Sequence, residues 1–391
     1  MIDLELVEAL FPLSRASEYA AEFGAAIAAA EPGIAHLRPA LPLAQAADYA
    51  FLTALETYAP ELAVVLEAAA LAVLPARVRR ELEAERAGRS RSFEDAEAGA
   101  PPPPPRTRIA LVAPQACIRH GRGYGDTWAW TQTALLGQSR CVPSLPAGEA
   151  ALARVHAPAY LQGLAALGEQ GRHLLTPETV VSPLSQIAWR AAAGAMLAAA
   201  EVARAGEPLV LAYARPGSHH ASTGRAGGTC LVNNLAVAAA AARASGIERA
   251  AIVDLDAHHG NGTEAIFAAD ETVLTVSVHQ AQPFYPGSGD EQGGLANLNL
   301  PVAPAGDWAA AVEQAVEAVR AFAPGLVLVE LSADAHICDP VSELRVSDDD
   351  FARAGALLAS LVVPVAVELG ASTSERAWVG ALRGFVSGFD A

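Results

Sequence analysis

Beyond residue 106 the chain alternates between short apolar runs and Ala-rich runs, and this alternation constrains the fold more than any other feature. The strand-like runs are RIALVAP, PLVLAYAR, AAIVDLD, TVLTVSVH, GLVLVELSA and VPVAVELG. The helix-like runs are AAAGAMLAAAEVARAG, LAVAAAAARASG, AAAVEQAVEAVRAFAP and FARAGALLASLV. Alternating strands and helices predict an α/β fold with a mostly parallel central sheet. Because the strands are apolar on both faces, helices should cover both sides of that sheet.

The remaining sequence predicts three consecutive parts. Residues 1–98 are rich in Ala, Leu and Glu and are predicted to form a helical N-terminal module. Five consecutive prolines mark residues 99–105 as a linker or a polyproline brace, and residues 106–391 form the α/β domain. The module has three open roles: a lid over the site, an element for partner docking or homo-oligomerisation, or a buttress packed on the sheet.

Composition excludes several classes of partner. The formal net charge of -17 argues against nucleic acid and anionic membranes, since phosphate groups require a basic surface. The four cysteines lie apart without a C-x-x-C pair, which predicts neither a disulfide framework nor a cysteine zinc site. The longest apolar run near the start, residues 62–74, is too short to span a membrane, and no signal peptide is recognised. We therefore expect a cytoplasmic protein.

Polar residues with metal-binding and proton-transfer chemistry follow three of the predicted strands. Each group comes directly after an apolar run: His219 and His220; Asp254, Asp256, His258 and His259; Asp334, His336 and Asp339. A single strand end of this kind is commonly a helix cap or a satisfied core polar group. Because the carboxyl ends of parallel strands share one edge of a sheet, three such ends predict a common site.

Asp256 and His258 have the spacing of two ligands of one metal ion. Residues two apart in an extended chain point to the same side, and Asp334 from a neighbouring strand end supplies a third ligand. One imidazole and two carboxylates leave a coordination position open, which is typical of catalytic zinc with bound water. The alternative interpretation of Asp256 and His258 is a structural ion pair.

The adjacent His219 and His220 are predicted to serve proton transfer and not to bind the metal. One of them would act as a base beside the metal-bound water, with a pKa near the working pH. Its second ring nitrogen needs an acceptor that fixes tautomer and orientation, and Asp254 and Asn261 are the candidates. The alternative is that the pair only packs a loop.

These residues resemble the histone deacetylase and acetylpolyamine amidohydrolase family, which has the arginase-deacetylase fold. The matching segments, in family order over about residues 106–391, are RPGSHHA, GGTCLVNNLAVAA, VDLDAHHGNGTEAIF, LTVSVHQ with FYPGSG, and SADAHICDP. No single segment is specific, but their combination is. The resemblance implies a three-layer fold with the central sheet between helices.

The resemblance also implies a role for each site residue. It assigns Zn²⁺ to Asp256, His258 and Asp334, the general base to His220, its partner imidazole to His219, and the orienting groups to Asp254 and Asn261. A potassium ion under the zinc site carries over to oxygen atoms of Asp254, Asp256, His258, Ser277 and Val278. Oxygen ligands suit such a hard cation.

The sequence departs from the family at the wall of the substrate channel. Where the family has a glycine-rich segment ending in a tyrosine that holds the developing oxyanion, this chain has VELGASTS, and Ala371 occupies the tyrosine position. Loss of one oxyanion donor typically costs about 100- to 1000-fold in rate. Replacement donors would come from residues 372–374 or from Tyr124 in the entrance segment. Thr229 stands where a phenylalanine usually lines the channel, so we expect a wider, more polar channel.

Together these features predict a zinc-dependent hydrolase that cleaves an acyl-amide or an ester by metal-activated water. The expected substrate is an acylated small molecule or a carrier-linked intermediate, and not a histone tail. One alternative is a non-hydrolytic zinc enzyme of biosynthesis, of the lyase or dehydratase type, on the same fold. Another is a weakly active protein that binds acylated ligands.

Overall fold

The computed structural model describes residues 99–106, 108–119, 127–171, 173–176 and 179–389. The predicted N-terminal module and Tyr124 lie outside these residues. Two sheets are present in the described part of the chain. Their strands are β1 (Ile109–Val112), β2 (Ser139–Cys141), β3 (His173–Leu174), β4 (Val180–Val181), β5 (Val210–Ala212), β6 (Ala250–Asp254), β7 (Val273–Gln280), β8 (Asn297–Val302), β9 (Leu326–Leu331) and β10 (Val365–Leu369).

The main sheet has eight strands in the order β2-β1-β5-β10-β9-β6-β7-β8, and every neighbouring pair is parallel. Strands β3 and β4 form a separate antiparallel pair. Every residue of β1, β5, β6, β7, β9 and β10 is buried, so both faces of the central sheet are covered. The predicted parallel α/β sheet is therefore confirmed.

The helices pack in two groups. The helices of the described residues are α1 (Gln115–Arg119), α2 (Thr127–Leu135), α3 (Glu149–Leu152), α4 (Pro158–Glu169), α5 (Ser185–Arg204), α6 (Asn234–Ala244), α7 (Asn261–Phe267), α8 (Trp308–Phe322), α9 (Asp348–Ala359) and α10 (Glu375–Phe389). In one group α5 packs against α6, and both lie on central strands of the sheet. In the other, α8 contacts α9, α9 contacts α10, and α10 contacts α2. The result is a three-layer arrangement of helices, sheet and helices.

The proline-rich segment contacts the α/β domain directly. Arg376 Nε of α10 donates to the carbonyl of Gly99 at 3.0 Å, and Arg383 Nη1 donates to the carbonyl of Pro102 at 3.0 Å. Pro105 is buried. Residues 99–105 thus have the contacts of a brace along α10.

Strand β8 was not predicted from the sequence because its pattern differs from that of the other strands. It alternates between Asn297 and Asn299 on one side and Leu298 and Leu300 on the other, and it contains Pro301. As an edge strand it faces a neighbour on one side only, which is where a sheet tolerates proline. A pattern of continuous apolar runs therefore does not predict this strand.

The strand order explains how distant segments meet. Strands β9 and β10 lie between β5 and β6, although they come later in the chain than both. The segments that follow β5, β6, β9 and β10 consequently leave the same edge of the sheet side by side. Apart from Tyr124 and the β7 residues Ser277 and Val278, the predicted site residues lie at the last position of β6, in the segments that follow these four strands, or at the start of α7. Among the described helices, none combines the length and the apolar character that a membrane span requires.

Candidate metal centre

The end of β6 and the end of β9 bring three candidate metal ligands together. Asp256, His258 and Asp334 each offer a ligand atom, and these atoms lie within 4.8 Å of one another. His258 Nδ1 is 2.8 Å from Asp256 Oδ1 and 3.0 Å from Asp334 Oδ2. The backbone fixes both carboxylates, because His258 N donates to Asp256 Oδ1 at 2.8 Å and Ala257 N donates to Asp334 Oδ1 at 3.0 Å.

The electrostatics of this cluster favour a cation. Burial alone would lower the pKa of His258, but the hydrogen bonds and charges of Asp256 and Asp334 raise that pKa to about 11. Burial and the neighbouring Asp256 raise the pKa of Asp334 to about 7. Ligand bonds of about 2.0 Å in a tetrahedral zinc site place adjacent ligand atoms about 3.3 Å apart. The observed separations of 2.8 and 3.0 Å are close to that value, so the donor set fits a small divalent cation.

The two histidines after β5 have partners of different charge. His219 Nδ1 donates to the carboxylate of Asp254 at 2.9 Å, whereas His220 Nδ1 donates to the amide oxygen of Asn261 at 2.7 Å. Their rings are 3.9 Å apart between centroids, and both side chains are buried. Burial opposes charge on His219, but Asp254 and Asp256 raise its pKa to about 9. Burial and the charge on His219 hold the pKa of His220 well below its usual value.

A tight hairpin places Gly228 against the His220 ring. Gly227 and Cys230 form an antiparallel bridge, and both residues between them have positive φ, +48° at Gly228 and +68° at Thr229. A Cβ on Gly228 would lie 2.1 Å from His220 Cδ2. The structure thus places Thr229, a predicted channel residue, directly after the glycine that contacts the predicted base.

The segment with Ala371 is joined to the metal centre through its backbone. Ala371 N donates to Ser332 Oγ at 3.0 Å, and Ser332 Oγ donates to Asp256 Oδ2. The hydroxyls that follow Ala371 have other partners: Ser372 Oγ donates to Asp339 Oδ2 at 2.7 Å, and Thr373 Oγ1 donates to Asp339 Oδ1 at 2.9 Å. Neither hydroxyl is arranged as the replacement oxyanion donor considered from the sequence.

Sequence reasoning gave no contact role to two aromatic residues that border the site. The Phe284 ring stacks on His258 at 4.7 Å between centroids with an angle of 18°. The Tyr285 ring packs edge-on against His220 at 5.0 Å and against His258 at 5.9 Å, and Tyr285 is 44% exposed. The segment FYPGSG carries part of the family resemblance, but its spacing alone does not place it against both histidines.

Two buried carboxyls beneath the histidines were also missed. Glu330 and Glu368 are aligned partners on β9 and β10, and Glu330 is also aligned with Asp254 on β6. Ser218 Oγ and Asn234 Nδ2 each donate to Glu368 at 2.8 Å. Burial raises the pKa of both carboxyls. The charge of Glu368 adds to the rise at Glu330, whereas the hydrogen bonds from Asn234 and Ser218 oppose the rise at Glu368. No sequence signal connects strands so far apart in the chain.

The residues expected to hold potassium lie at the junction of β6 and β7. Ser277 is the aligned partner of Asp254, and its hydroxyl accepts from Gly260 N at 3.3 Å. Val278 is buried next to it. His259, which also follows β6, has other partners: its Nδ1 is 2.9 Å from Ser288 Oγ and its Nε2 is 3.1 Å from Glu264 Oε2.

Comparison with known proteins agrees with this geometry. The family model of the histone deacetylase domain matches residues 125–370, more than half of the chain. This chain belongs to the histone deacetylase family. The family segment includes β5 to β10, and it therefore contains the His219–His220 pair and the three candidate metal ligands.

Related histone deacetylase family proteins include bacterial amidohydrolases. The chain is 40% identical to the acetylpolyamine amidohydrolase of Burkholderia pseudomallei over 253 residues, which span 61% of this chain and 72% of the relative. It is 35% identical to the histone deacetylase-like amidohydrolase of Pseudomonas aeruginosa, over 56% of this chain and 61% of the relative. The alignment with this second relative thus covers less than two thirds of its length.

Solved structures of the family share the fold. The crystal structure of acetylpolyamine aminohydrolase from Burkholderia pseudomallei superposes with a TM-score of 0.67 and 28% identity, covering 72% of this chain and 99% of that one. The HDA15 HD domain gives a TM-score of 0.66 with 25% identity, covering 71% and 90%. The resemblance inferred from the motifs and the predicted three-layer fold are both confirmed.

Proposed function

We propose that this histone deacetylase family member is a zinc-dependent hydrolase that cleaves the acyl-amide bond of a small-molecule or carrier-linked substrate. The observation that carries the proposal is the pairing of His219 with a carboxylate and of His220 with an amide, beside three ligands that fit one divalent cation. When the environments of two neighbouring titratable groups shift their pKa values in opposite directions, they identify which group is the acid and which is the base.

The partners of the two histidines define their parts in the reaction. Because Nδ1–H of His220 is donated to Asn261, its Nε2 carries a free lone pair and takes the proton of the attacking water. The carboxylate of Asp254 raises the pKa of the neighbouring His219, which keeps its ring positively charged. Its Nε2–H faces the ligand cluster, 3.9 Å from Asp256 Oδ1, where it would donate to the reacting oxygen. When bound, zinc supplies a polarised carbonyl and a water of lowered pKa. The carbon–nitrogen bond then breaks, and the amine leaves with the proton that His220 returns.

Three observations support the choice of substrate. Relatives named acetylpolyamine amidohydrolases are 40% and 32% identical over the matched residues, which supports an acylated amine. A net charge of -17 tolerates a cationic substrate. Thr229 and Ala371 are smaller than the aromatic residues expected there, which favours a substrate wider than a lysyl chain. We also propose potassium at the oxygens of Asp254 and Ser277, which adjoin on β6 and β7.

The proposal is tested by loading the full-length protein with one equivalent of zinc and assaying a panel of acylated amines and esters. His220→Ala should abolish turnover of the substrate found, since the water would lose its base. His173→Ala is the matched control, because His173 lies on the separate pair of β3 and β4. Absence of hydrolysis across the panel by wild-type protein with bound zinc contradicts the proposal, and so does full activity of His220→Ala.

A second candidate function rests on the wall at Ala371. The hydroxyls of Ser372 and Thr373 are bonded to Asp339, which favours a protein that binds acylated ligands weakly or runs a non-hydrolytic zinc reaction. A binding protein should retain its affinity for acylated ligands in His220→Ala, with no turnover in either form. A lyase or dehydratase should release a non-hydrolytic product, detected by mass spectrometry, at a rate that depends on zinc.

A further inference from the structure

Ser332 connects the cluster of candidate metal ligands to the segment that contains Ala371. It follows β9 directly and is completely buried, at 0% exposure. Its hydroxyl donates to Asp256 Oδ2 and accepts from the backbone N–H of Ala371 at 3.0 Å.

The direction of both hydrogen bonds follows from the groups involved. The N–H of Ala371 can only donate, so it occupies a lone pair of Ser332 Oγ. An ionised Asp256 carboxylate can only accept, so it receives the single hydroxyl proton. The two hydrogen bonds, from Ala371 N–H to the hydroxyl and from the hydroxyl to the carboxylate, therefore donate in the same direction. Each strengthens the other in a buried environment.

This arrangement leaves one oxygen of Asp256 for the metal. Oδ2 is held by Ser332, whereas Oδ1 faces His258 Nδ1 at 2.8 Å on the side of the ligand cluster. Side chains that hydrogen-bond to a metal ligand fix its orientation, and their loss typically lowers metal affinity about 10- to 100-fold. A carboxylate freed at Oδ2 would rotate and lose its alignment with the cluster.

The backbone makes room for this contact at Gly370. A Cβ at that position would lie 2.0 Å from Ser332 Oγ and 2.6 Å from Glu330 Oε1. Both atoms are buried and cannot move aside freely, so even one methyl group would displace the hydroxyl. Gly370 has a negative φ, so an alanine there introduces steric displacement without left-handed backbone strain.

We propose that Ser332 is a positioning residue that holds Asp256 in a one-oxygen orientation toward the metal and couples this ligand to the main chain of Ala371. This inference rests on the metal site of the proposed function, and it requires metal binding but not hydrolysis. The main chain at Ala371 thereby acts on the metal ligand through the Ser332 hydroxyl.

The test measures zinc affinity of the full-length protein by competition with a chromophoric chelator. Ser332→Ala should raise the zinc dissociation constant about 10- to 100-fold, whereas Ser332→Thr, which keeps the hydroxyl, should recover most of the affinity. The matched control is Ser372→Ala. Ser372 is also buried and donates to a buried aspartate, but Asp339 is outside the ligand cluster, so zinc affinity should stay at the wild-type value.

A second readout separates positioning from a general loss of structure. The visible absorption bands of cobalt-loaded protein report the coordination geometry, and they should shift in Ser332→Ala and Gly370→Ala but not in Ser372→Ala. If Ser332→Ala does not fold, Gly370→Ala decides the outcome by the same two measurements. Unchanged zinc affinity and cobalt spectrum in the folded variants overturn the inference.

Failure of the inference and failure of the proposed function give different results. If the wild-type protein binds zinc tightly but hydrolyses no substrate, the proposed function fails while the affinity ratio still tests Ser332. If it hydrolyses a substrate and Ser332→Ala binds zinc as tightly as wild type, only the inference fails. A wild-type protein without measurable zinc affinity overturns both.

Discussion

Gly228→Ala should disable the predicted base by displacing its ring. The new Cβ would lie 2.1 Å from His220 Cδ2 and 2.9 Å from Nε2. Carbon atoms in contact are normally at least about 3.5 Å apart, so the ring or the hairpin must move by about 1.4 Å. A misplacement of about 1 Å in a catalytic group costs about 100-fold in rate, so kcat should fall by at least that factor.

The same substitution also strains the backbone, and a matched variant separates the two effects. Gly228 has a φ of +48°, where a non-glycine residue costs about 1–2 kcal/mol. Gly137 also has a positive φ, +76°, but a Cβ there would meet nothing within 4 Å. Gly137→Ala should therefore lose about 1–2 kcal/mol of stability with an unchanged rate.

The assay combines urea denaturation with turnover of the substrate identified in the panel, at equal zinc occupancy. Gly228→Ala should lose more stability than Gly137→Ala, and it alone should lose activity. If the two variants turn over at the same rate and unfold at the same urea concentration, the contact between position 228 and the His220 ring does not govern the base, and the reasoning is wrong.

Three further predictions concern stability. His156 is buried, its Nδ1 donates to the carbonyl of Ser222 and its Nε2 accepts from Asn233 N, and burial lowers its pKa to about 4. The stability contributed by neutral His156 is fully present above pH 6.5 and is lost as the pH falls toward 4. It amounts to about 3 kcal/mol. Between pH 7 and pH 4, the free energy of unfolding from urea titrations should therefore fall by about 3 kcal/mol more in wild type than in His156→Gln. Removal of metal with a chelator should lower the melting temperature, and zinc at about 100 times its dissociation constant should restore about 2.7 kcal/mol; an unchanged melting temperature argues against the metal centre. Arg383 donates to three backbone carbonyls that join α10 to α2 and the brace, so Arg383→Met should cost about 2–4 kcal/mol in urea denaturation, and a loss near zero contradicts this account.

The fold and the grouping of the site were accessible from sequence because both depend on local pattern. Continuous apolar strands predicted the parallel sheet, and the spacing of Asp256 and His258 predicted that they face the same way. Asp334 could be added because carboxyl ends of parallel strands share an edge.

What the sequence did not reveal depends on register between distant strands and on the direction of hydroxyl groups. Glu330 and Glu368 become neighbours only through the pairing of β9 with β10. The sequence allows Ser372 and Thr373 to face the site, but both residues donate hydrogen bonds to Asp339, since a buried carboxylate requires several donors. The connection from Ser332 to Asp256 likewise needs tertiary coordinates, because 76 positions separate the two residues. The identity of the metal and the site-residue roles stay predictions.

The order of strands in the sheet determines when the centre can come into existence during synthesis. Strand β5 and strand β6 emerge from the ribosome early, yet two later strands separate them in the finished sheet. A nascent chain that has not reached β10 lacks the central pairings that place His219 and His220 beside the ligands after β6. Such non-local pairing makes assembly slow compared with local folding. The growing polypeptide therefore cannot bring the residues of the candidate site together before β10, its last strand, is available.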